Sequence, residues 1–254
     1  MITTQKDSKI MPLFYLTGLV VLLSISIHIL HRVFGFLDDY VVLLGVLNLS
    51  GGLTIILNLM FVTPIILFII AAVLLKIDRE HKLLPLFLTL TLTTASISII
   101  AGGDGLTEYH FSIFMVIAII ASFQQVKMII VSTVIFAIHH FVGFFFFPEL
   151  LCGTPTYRFS LLLLHAVFLI MTAIATGIII YNTRVTELRL TKEREAAEEQ
   201  LKQLFKEISN EGNELKSLST LLQDASDDTT ASSLNIANSL TQLNINYCGR
   251  STSA

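Results

Sequence analysis

The apolar segment FSLLLLHAVFLIMTAIATGIIIY at residues 159–181 continues directly into NTRVTELRLTKEREAAEEQLKQLFKEI at residues 182–208. The first segment holds no Asp, Glu, Lys or Arg and is long enough to cross the hydrocarbon core of a bilayer as a helix. The second segment is densely charged, and no Gly or Pro interrupts the chain between Asn182 and Gly212. The pattern therefore predicts a single helix that leaves a membrane and continues into water.

The composition divides the chain at the same place. Apolar residues make up 54% of the 254 residues and charged residues 14%, and the mean hydropathy is +0.76. Of the 35 charged residues, 19 follow Asn182. We therefore predict an all-α protein with two domains, a six-span transmembrane domain at residues 1–182 and a cytoplasmic helix at residues 183–254. A soluble enzyme is excluded for the first domain, and the lack of a basic cluster argues against a nucleic acid partner.

Six apolar runs define the predicted spans, at residues 11–36, 53–75, 83–101, 109–123, 128–147 and 159–181. Residues 41–49 are expected to lie at the interface or fold back, and residues 149–158 to form a loop. Basic residues are concentrated on one side of this arrangement, at Lys6, Lys9, Lys76, Arg79, Lys82 and Lys127. The other side has only Arg32 and Arg158. The excess predicts a multi-pass protein of the cell membrane with both termini in the cytoplasm.

The charged segment carries an apolar seam in steps of three and four residues. The seam consists of Leu201, Leu204, Ile208, Leu215, Leu218, Leu222 and Ala225. Such spacing is typical of a coiled coil, so the chain is expected to form a homodimer or a higher array of helices. Ser, Thr, Ala and Asn replace the seam beyond Asp224, and residues 246–254 follow no pattern, which predicts a frayed end.

Four ionisable residues in the membrane domain are candidates for a binding site. His140 and His165 are predicted at similar depths below the external ends of spans five and six, and His110 begins span four from the same side, two residues after Glu108. Ionisable groups are costly at these positions, which makes each a candidate for function. Three imidazoles and a carboxylate suit Zn, Cu or Fe. His139 points about 100° away from His140 on the helix and is not expected to be an equal ligand.

Other interpretations of these residues stay open. Each histidine would equally well pack against neighbouring helices and bond to a backbone carbonyl. Two histidines on facing helices would alternatively hold a haem axially, with Gly143 giving room for the ring. His28 and His31 favour an interfacial role and alternatively join the site. Asp104 is explained by solvation in an external loop, and Cys152 is interpreted as a loop thiol that alternatively supplies a soft ligand.

Motifs of common enzyme classes do not occur in the sequence. The chain has no Ser-His-Asp arrangement, no P-loop and no dinucleotide-binding glycine fingerprint. We therefore expect that the protein is not an enzyme.

Three short segments resemble a family of bacterial membrane sensor modules. They are TEYHFSIF at residues 107–114, AIHHF at residues 137–141 and LHA at residues 164–166. Modules of this kind precede chemoreceptor or histidine-kinase output regions, and this chain is most similar to methyl-accepting chemotaxis proteins. The resemblance covers residues 83–182. The charged helix from Arg184 onward looks like the start of a chemoreceptor coiled coil that ends before the kinase-contacting tip.

The resemblance assigns the family motif residue by residue. Its Glu-x-His-Phe pattern falls on Glu108 and His110, its mid-helix histidine on His140 and its last histidine on His165. Family members often carry a second histidine where this chain has Ser112, so that ligand position is absent here. The resemblance implies a chemotaxis kinase and its adaptor as partners of an output region that is not complete in this chain.

Two functions follow from these features. The first is a sensory transducer in which a metal or redox cofactor at the histidines shifts span six and thereby the coiled coil. The second is a membrane carrier or electron-transfer protein that uses the same histidines as stations on a path. The uninterrupted connection from Asn182 to Gly212 favours the transducer, because it joins the site mechanically to the cytoplasmic helix.

Overall fold

The computed structural model describes residues 2–39, 51–154 and 156–251. Within these residues every regular element is helical and no strand occurs, which confirms the predicted all-α class. The segment at residues 41–49, predicted to lie at the interface, falls outside the described residues.

The α-helices are α1 (Ile2–Arg32), α2 (Gly51–Ile77), α3 (Leu84–Gly102), α4 (Phe111–Ala121), α5 (Val126–Phe146), α6 (Pro148–Cys152) and α7 (Phe159–Ser251). A 3-10 turn at Thr107–His110 precedes α4. The structure separates into two compact units, Met1–Glu187 and Leu188–Ala254.

Among the residues that the structure describes, five helical segments are long and apolar enough to cross a membrane: Ile10–Arg32, Gly51–Ile77, Leu84–Gly102, Val126–Phe146 and Phe159–Asn244. Insertion of the chain into a membrane is thus supported by the structure. The region predicted as span four is shorter, because its apolar helix covers only Thr107–Ala121. Fifteen residues rise about 22 Å as an α-helix, less than the roughly 30 Å of a hydrocarbon core. The count of six spans stays a prediction.

Helix α3 is the centre of the first unit. In the most apolar stretch of this helix 72% of the residues are buried. The helix packs against α1, α2, α4 and α5. Its core-facing positions alternate aliphatic residues with Ser and Thr, whose hydroxyls bond the carbonyl four residues earlier or reach a neighbouring helix; Thr93, for example, lies 2.8 Å from Ser132 on α5. Small hydroxyl residues allow close helix packing where no water is present to drive association.

Apolar contacts fix which helix ends lie together. Ile10 near the start of α1, Ala71 near the end of α2 and Leu84 at the start of α3 form one cluster, against which Phe123 packs. The opposite ends of α1 and α3 meet at His31 and Asp104. Successive long helices of this unit therefore run antiparallel, and the ends predicted from the basic residues to share one side do so.

The predicted loop at residues 149–158 is partly wrong. Pro148 ends α5 and at the same time begins α6, where its missing N–H costs nothing at the first helical position. Leu150 and Leu151 of α6 are buried, and Leu151 packs against Gly143 of α5. The haem interpretation required open space beside Gly143, and the Leu151 side chain fills that space.

The second unit contains the remainder of α7 and is helical through Ser251. The leucine and isoleucine side chains of its seam, from Leu201 to Leu222, are between 54% and 67% exposed in the single chain. An apolar row of this length is available for a partner helix, but the coiled coil itself stays a prediction.

Candidate functional site

Three of the four residues predicted as ligands come together in the first unit. His110 ends the 3-10 turn, His140 lies on α5 and His165 on α7. The centroids of their rings are 5.6 Å apart for His110 and His140, 5.4 Å for His110 and His165, and 6.3 Å for His140 and His165. We call this arrangement the histidine triangle. His110 and His140 are buried and His165 is half-buried.

One hydrogen-bond pattern repeats at all three corners of the triangle. The Nδ1 atom lies 3.3 Å from the Leu106 carbonyl in His110, 2.8 Å from the Phe136 carbonyl in His140 and 2.9 Å from the Leu161 carbonyl in His165. A carbonyl oxygen can only accept, so each Nδ1 must carry the proton. Each neutral ring then keeps its lone pair on Nε2. Metal-binding histidines are commonly oriented in this way, by a backbone carbonyl that holds the other ring nitrogen.

The fourth predicted ligand, Glu108, is exposed on the 3-10 turn. A 3-10 helix has three residues per turn, so side chains two positions apart point in directions about 120° apart. Burial of His110 therefore turns Glu108 toward the outside. Among the residues that the structure describes, no three His, Cys, Asp or Glu side chains are placed so that they could hold a metal ion.

The ring spacing nevertheless compares closely with that of a three-histidine metal site. With metal–nitrogen bonds of about 2.1 Å, three imidazoles around one ion have centroids roughly 5 to 5.5 Å apart. Two sides of the triangle meet this range to within a few tenths of an ångström, and only the His140–His165 side, at 6.3 Å, exceeds it clearly. Closing that side by about 1 Å would bring all three centroid separations close to this range.

Three neighbours of the triangle have different surroundings. The His139 ring is buried between His140 and Phe147, with centroids 5.6 and 6.5 Å away, and its Nε2 has no hydrogen-bond partner. Ser112, which takes the place of a histidine of the family motif, turns toward α3 and lies 2.6 Å from the Ser96 hydroxyl. Tyr157 in the loop before α7 lies 3.4 Å from His165 Nδ1, and burial raises the pKa of its phenol to about 12.

Cys152 is the last residue of α6 and is partly buried. Burial raises the pKa of its thiol to about 12, because it disfavours the charged thiolate. This is the character of an unreactive thiol, and the alternative in which Cys152 supplies a soft ligand stays a prediction.

A second polar cluster, which the sequence pattern did not indicate, includes His31, Asp104 and Tyr109. His31 is hydrogen-bonded at both ring nitrogens: its Nδ1 lies 2.7 Å from an Asp104 carboxylate oxygen, and its Nε2 lies 2.8 Å from the Tyr109 hydroxyl. The nearby His28 lies 3.0 Å from the Ser98 carbonyl. His28 and His31 are 3% and 5% exposed and bond within the bundle, which the expected interfacial role did not include. Asp104 is likewise bound to a buried partner instead of being merely solvated.

Glycine residues make this second cluster possible. A side chain at Gly103 would overlap the Tyr109 ring, and one at Gly102 would lie 2.5 Å from the His28 ring. Asp104 itself adopts a left-handed backbone, with φ of +56°, which a non-glycine residue adopts only when its surroundings hold it there. The Gly-Gly-Asp-Gly segment was the available signal, but its partner lies 73 residues away and no local pattern identifies it.

Comparison with family models, with curated proteins and with solved structures finds no match to this chain.

Proposed function

We propose that this chain is a membrane-embedded sensory transducer in which His110, His140 and His165 bind a transition metal ion and a shift of α7 carries the signal to the cytoplasmic helix. The metal would be Zn, Cu or Fe, the ions that neutral imidazole binds well. A partner copy of the chain, and a chemotaxis kinase with its adaptor, would receive the signal.

One observation carries this proposal: three imidazoles from three separate elements converge, and each has its Nδ1 proton committed to a backbone carbonyl. The three remaining Nε2 lone pairs are the donors that a metal needs. Helix packing alone would account for one such histidine, but a set of three supplies the ligands and their orienting groups together.

The geometry supports a bare ion over the haem alternative. A haem held axially by two histidines fills the plane midway between their rings. For His140 and His165, that plane contains the third ring, since the His110 centroid lies at nearly equal distances of 5.6 and 5.4 Å from the other two. His110 would therefore occupy the position of the macrocycle, whereas an ion at the centre of the triangle would use all three rings.

A signal from the triangle has a direct route along α7. His165 lies near the start of this helix, which continues to Ser251. A second contact joins the helix to the bundle, since the Gln124 amide donates to the Glu187 carboxylate at 3.3 Å from the turn between α4 and α5. Binding that draws His165 toward His140 would move α7 relative to this turn. The resemblance to chemoreceptors supplies the expected output.

Metal analysis of the purified full-length chain tests the proposal. We expect about one equivalent of metal in the wild type, and loss of most of it in His110→Ala, His140→Ala and His165→Ala. His139→Ala is the matched control, because this buried histidine lies next to His140 on α5 but points about 100° away from it on the helix. Its metal content should stay near that of the wild type. A metal-free wild type, or equal loss in all four variants, would contradict the proposal.

A further inference from the structure

A crevice of about 540 Å³ lies between α1 and α2, at the end of the bundle where α2 ends. We call it the α1–α2 crevice. Its apolar wall is formed by both helices and includes Phe14 on α1 and Leu75 on α2. Two cations complete the lining, Lys76 in the last turn of α2 and Arg79 just beyond the end of that helix. No carboxylate of the described residues lines the crevice, so its lining combines apolar surface with positive charge.

The two cations have no partners of their own. Lys76 and Arg79 are both exposed, and neither forms an ion pair or a side-chain hydrogen bond within the part of the chain that the structure describes. Asp78 lies between them in the sequence, but its carboxylate accepts a hydrogen bond from the Glu80 backbone N–H at 2.9 Å. The crevice therefore presents two uncompensated positive charges to a molecule that fills it.

The apolar wall is already fixed by packing within the bundle. The Phe14 ring stacks on Phe68 of α2, with ring centroids 4.9 Å apart and planes inclined by 18°. Phe14 also packs against the buried apolar cluster at this end of the bundle. Ala72, which lines the crevice, lies one helical turn, about 6 Å, deeper in the predicted span than Lys76. Apolar surface thus lies deeper in the membrane than the positive charge, which is the order of the acyl chains and the phosphate in a phospholipid.

We infer that the α1–α2 crevice binds one anionic phospholipid, with an acyl chain against Phe14 and Ala72 and the phosphate bound by Lys76 and Arg79. Both cationic side chains are long and flexible, so binding one phosphate requires no fixed distance between them. A zwitterionic lipid fits less well, because its positive head group would lie against the two cations. Basic crevices between helices at the cytoplasmic side are typical sites for acidic lipid head groups, and the basic residues predict that this end faces the cytoplasm.

The inference goes beyond the proposed function and does not depend on a metal at the histidine triangle. A single tryptophan tests it, because the chain has none. Phe14→Trp places this reporter in the crevice of the full-length chain. Tyr15→Trp is the matched control, because Tyr15 is the next residue on α1, is 67% exposed and does not line the crevice.

Quenching by brominated lipids measures which lipid lies beside each tryptophan. The variants are reconstituted in phosphatidylcholine that contains increasing amounts of brominated phosphatidylglycerol or of brominated phosphatidylcholine. We expect phosphatidylglycerol to be preferred roughly tenfold at position 14, since two cations contribute to its binding, and less than about twofold at position 15. An equal preference at the two positions would mean that the membrane surface attracts anionic lipid without the crevice, and would overturn the inference.

Charge variants identify the groups that hold the phosphate. Lys76→Gln together with Arg79→Gln should lower the preference at position 14 to the value at position 15. Lys82→Gln together with Lys127→Gln is the matched control, because it also removes two exposed cations from the predicted cytoplasmic side but neither residue lines the crevice. This pair should keep the preference. A preference at position 14 that survives the loss of Lys76 and Arg79 would refute the inference.

Native mass spectrometry of the wild type needs no substitution, so it decides even if a variant fails to fold. After incubation with equal amounts of phosphatidylglycerol and phosphatidylcholine, we expect each chain to retain one phosphatidylglycerol. Glycerol 3-phosphate at the same concentration should not displace it, because this anion has no acyl chain to contact the apolar wall. Equal retention of the two lipids, or displacement by glycerol 3-phosphate, would contradict the inference.

Discussion

Each histidine of the triangle is oriented by a residue of its own helical turn. The acceptor of every Nδ1 proton is the carbonyl four residues earlier, at Leu106, Phe136 and Leu161. This bond is local, so the direction of each ring depends only on the helix around it. The depth of each histidine below the external end of its predicted span was therefore enough to predict that His110, His140 and His165 would meet.

Residues whose placement depends on distant or irregular backbone were not predictable in the same way. Glu108 is exposed because side chains two positions apart on a helical turn, whether 3-10 or α, point in different directions, so the burial of His110 turns Glu108 outward. His31 is buried because Asp104 and Tyr109 approach it from more than 70 positions away. The left-handed backbone at Asp104 that allows this contact is held by tertiary packing.

The burial of the Cys152 thiol predicts that this thiol is alkylated slowly. Burial raises its pKa to about 12, so at pH 8 only about one thiol in ten thousand is the reactive thiolate. With Cys248 replaced by Ser, alkylation by iodoacetamide should be slow at pH 8 and accelerate about tenfold for each unit of pH up to the pKa. Thr156→Cys, in the exposed loop that follows α6, is the control and should react with the rate of an ordinary thiol. Equal rates at pH 8 would show that Cys152 is not shielded.

Helices rather than loops were the elements best predicted from the sequence. The long predicted spans and the observed helices have similar lengths, because a membrane requires a fixed length of uncharged helix. The short helix α6 was missed, since five residues after a proline carry no periodic signal. Span four was predicted at residues 109–123, whereas α4 covers Phe111–Ala121, because a 3-10 turn precedes the helix and the helix ends at Ala121.

The apolar seam of α7 predicts self-association. Leu201, Ile208, Leu215 and Leu222 are spaced by sevens, and Leu204 and Leu218 take the alternate seam position. We expect Leu215→Lys and Leu218→Lys to weaken dimerisation of the full chain roughly tenfold or more, because each places a charge in the contact. Asn213→Lys and Thr220→Lys, on the opposite face of the heptad, should have little effect. Light scattering in detergent measures the oligomer, and equal behaviour of the two pairs would exclude the seam as the contact.

The molecule combines an apolar helical bundle with a charged helix. Its orientation in the membrane depends on how the basic residues are distributed over all the helix ends. The described helix ends group as the basic residues predict, with Lys76 and Arg79 at one end and Arg158 at the other. Composition determines this grouping, since each long apolar run must cross from one side to the other. The prediction of which end faces the cytoplasm rests only on the excess of Lys and Arg residues at one end of the bundle.

Cysteine accessibility tests the orientation. In a chain without its two natural cysteines, Glu80→Cys should be shielded from a membrane-impermeant maleimide in intact cells, and Arg158→Cys should be labelled. Both positions are exposed, so shielding would reflect sidedness and not burial. Replacing Arg158 also removes a basic residue from the external side, which reinforces the expected orientation. The reverse labelling pattern would invert the topology.

X-ray absorption at the edge of the bound metal tests the central claim most directly, because it counts the ligand atoms without assuming a mutant structure. For the wild-type chain in nanodiscs we predict three nitrogen scatterers at about 2.0 to 2.1 Å, with the multiple-scattering pattern of imidazole rings. His139→Ala should give the same spectrum. A first shell that contains sulfur, one made only of oxygen, or one with the four equatorial nitrogens of a haem would contradict the assignment of His110, His140 and His165 as the ligands.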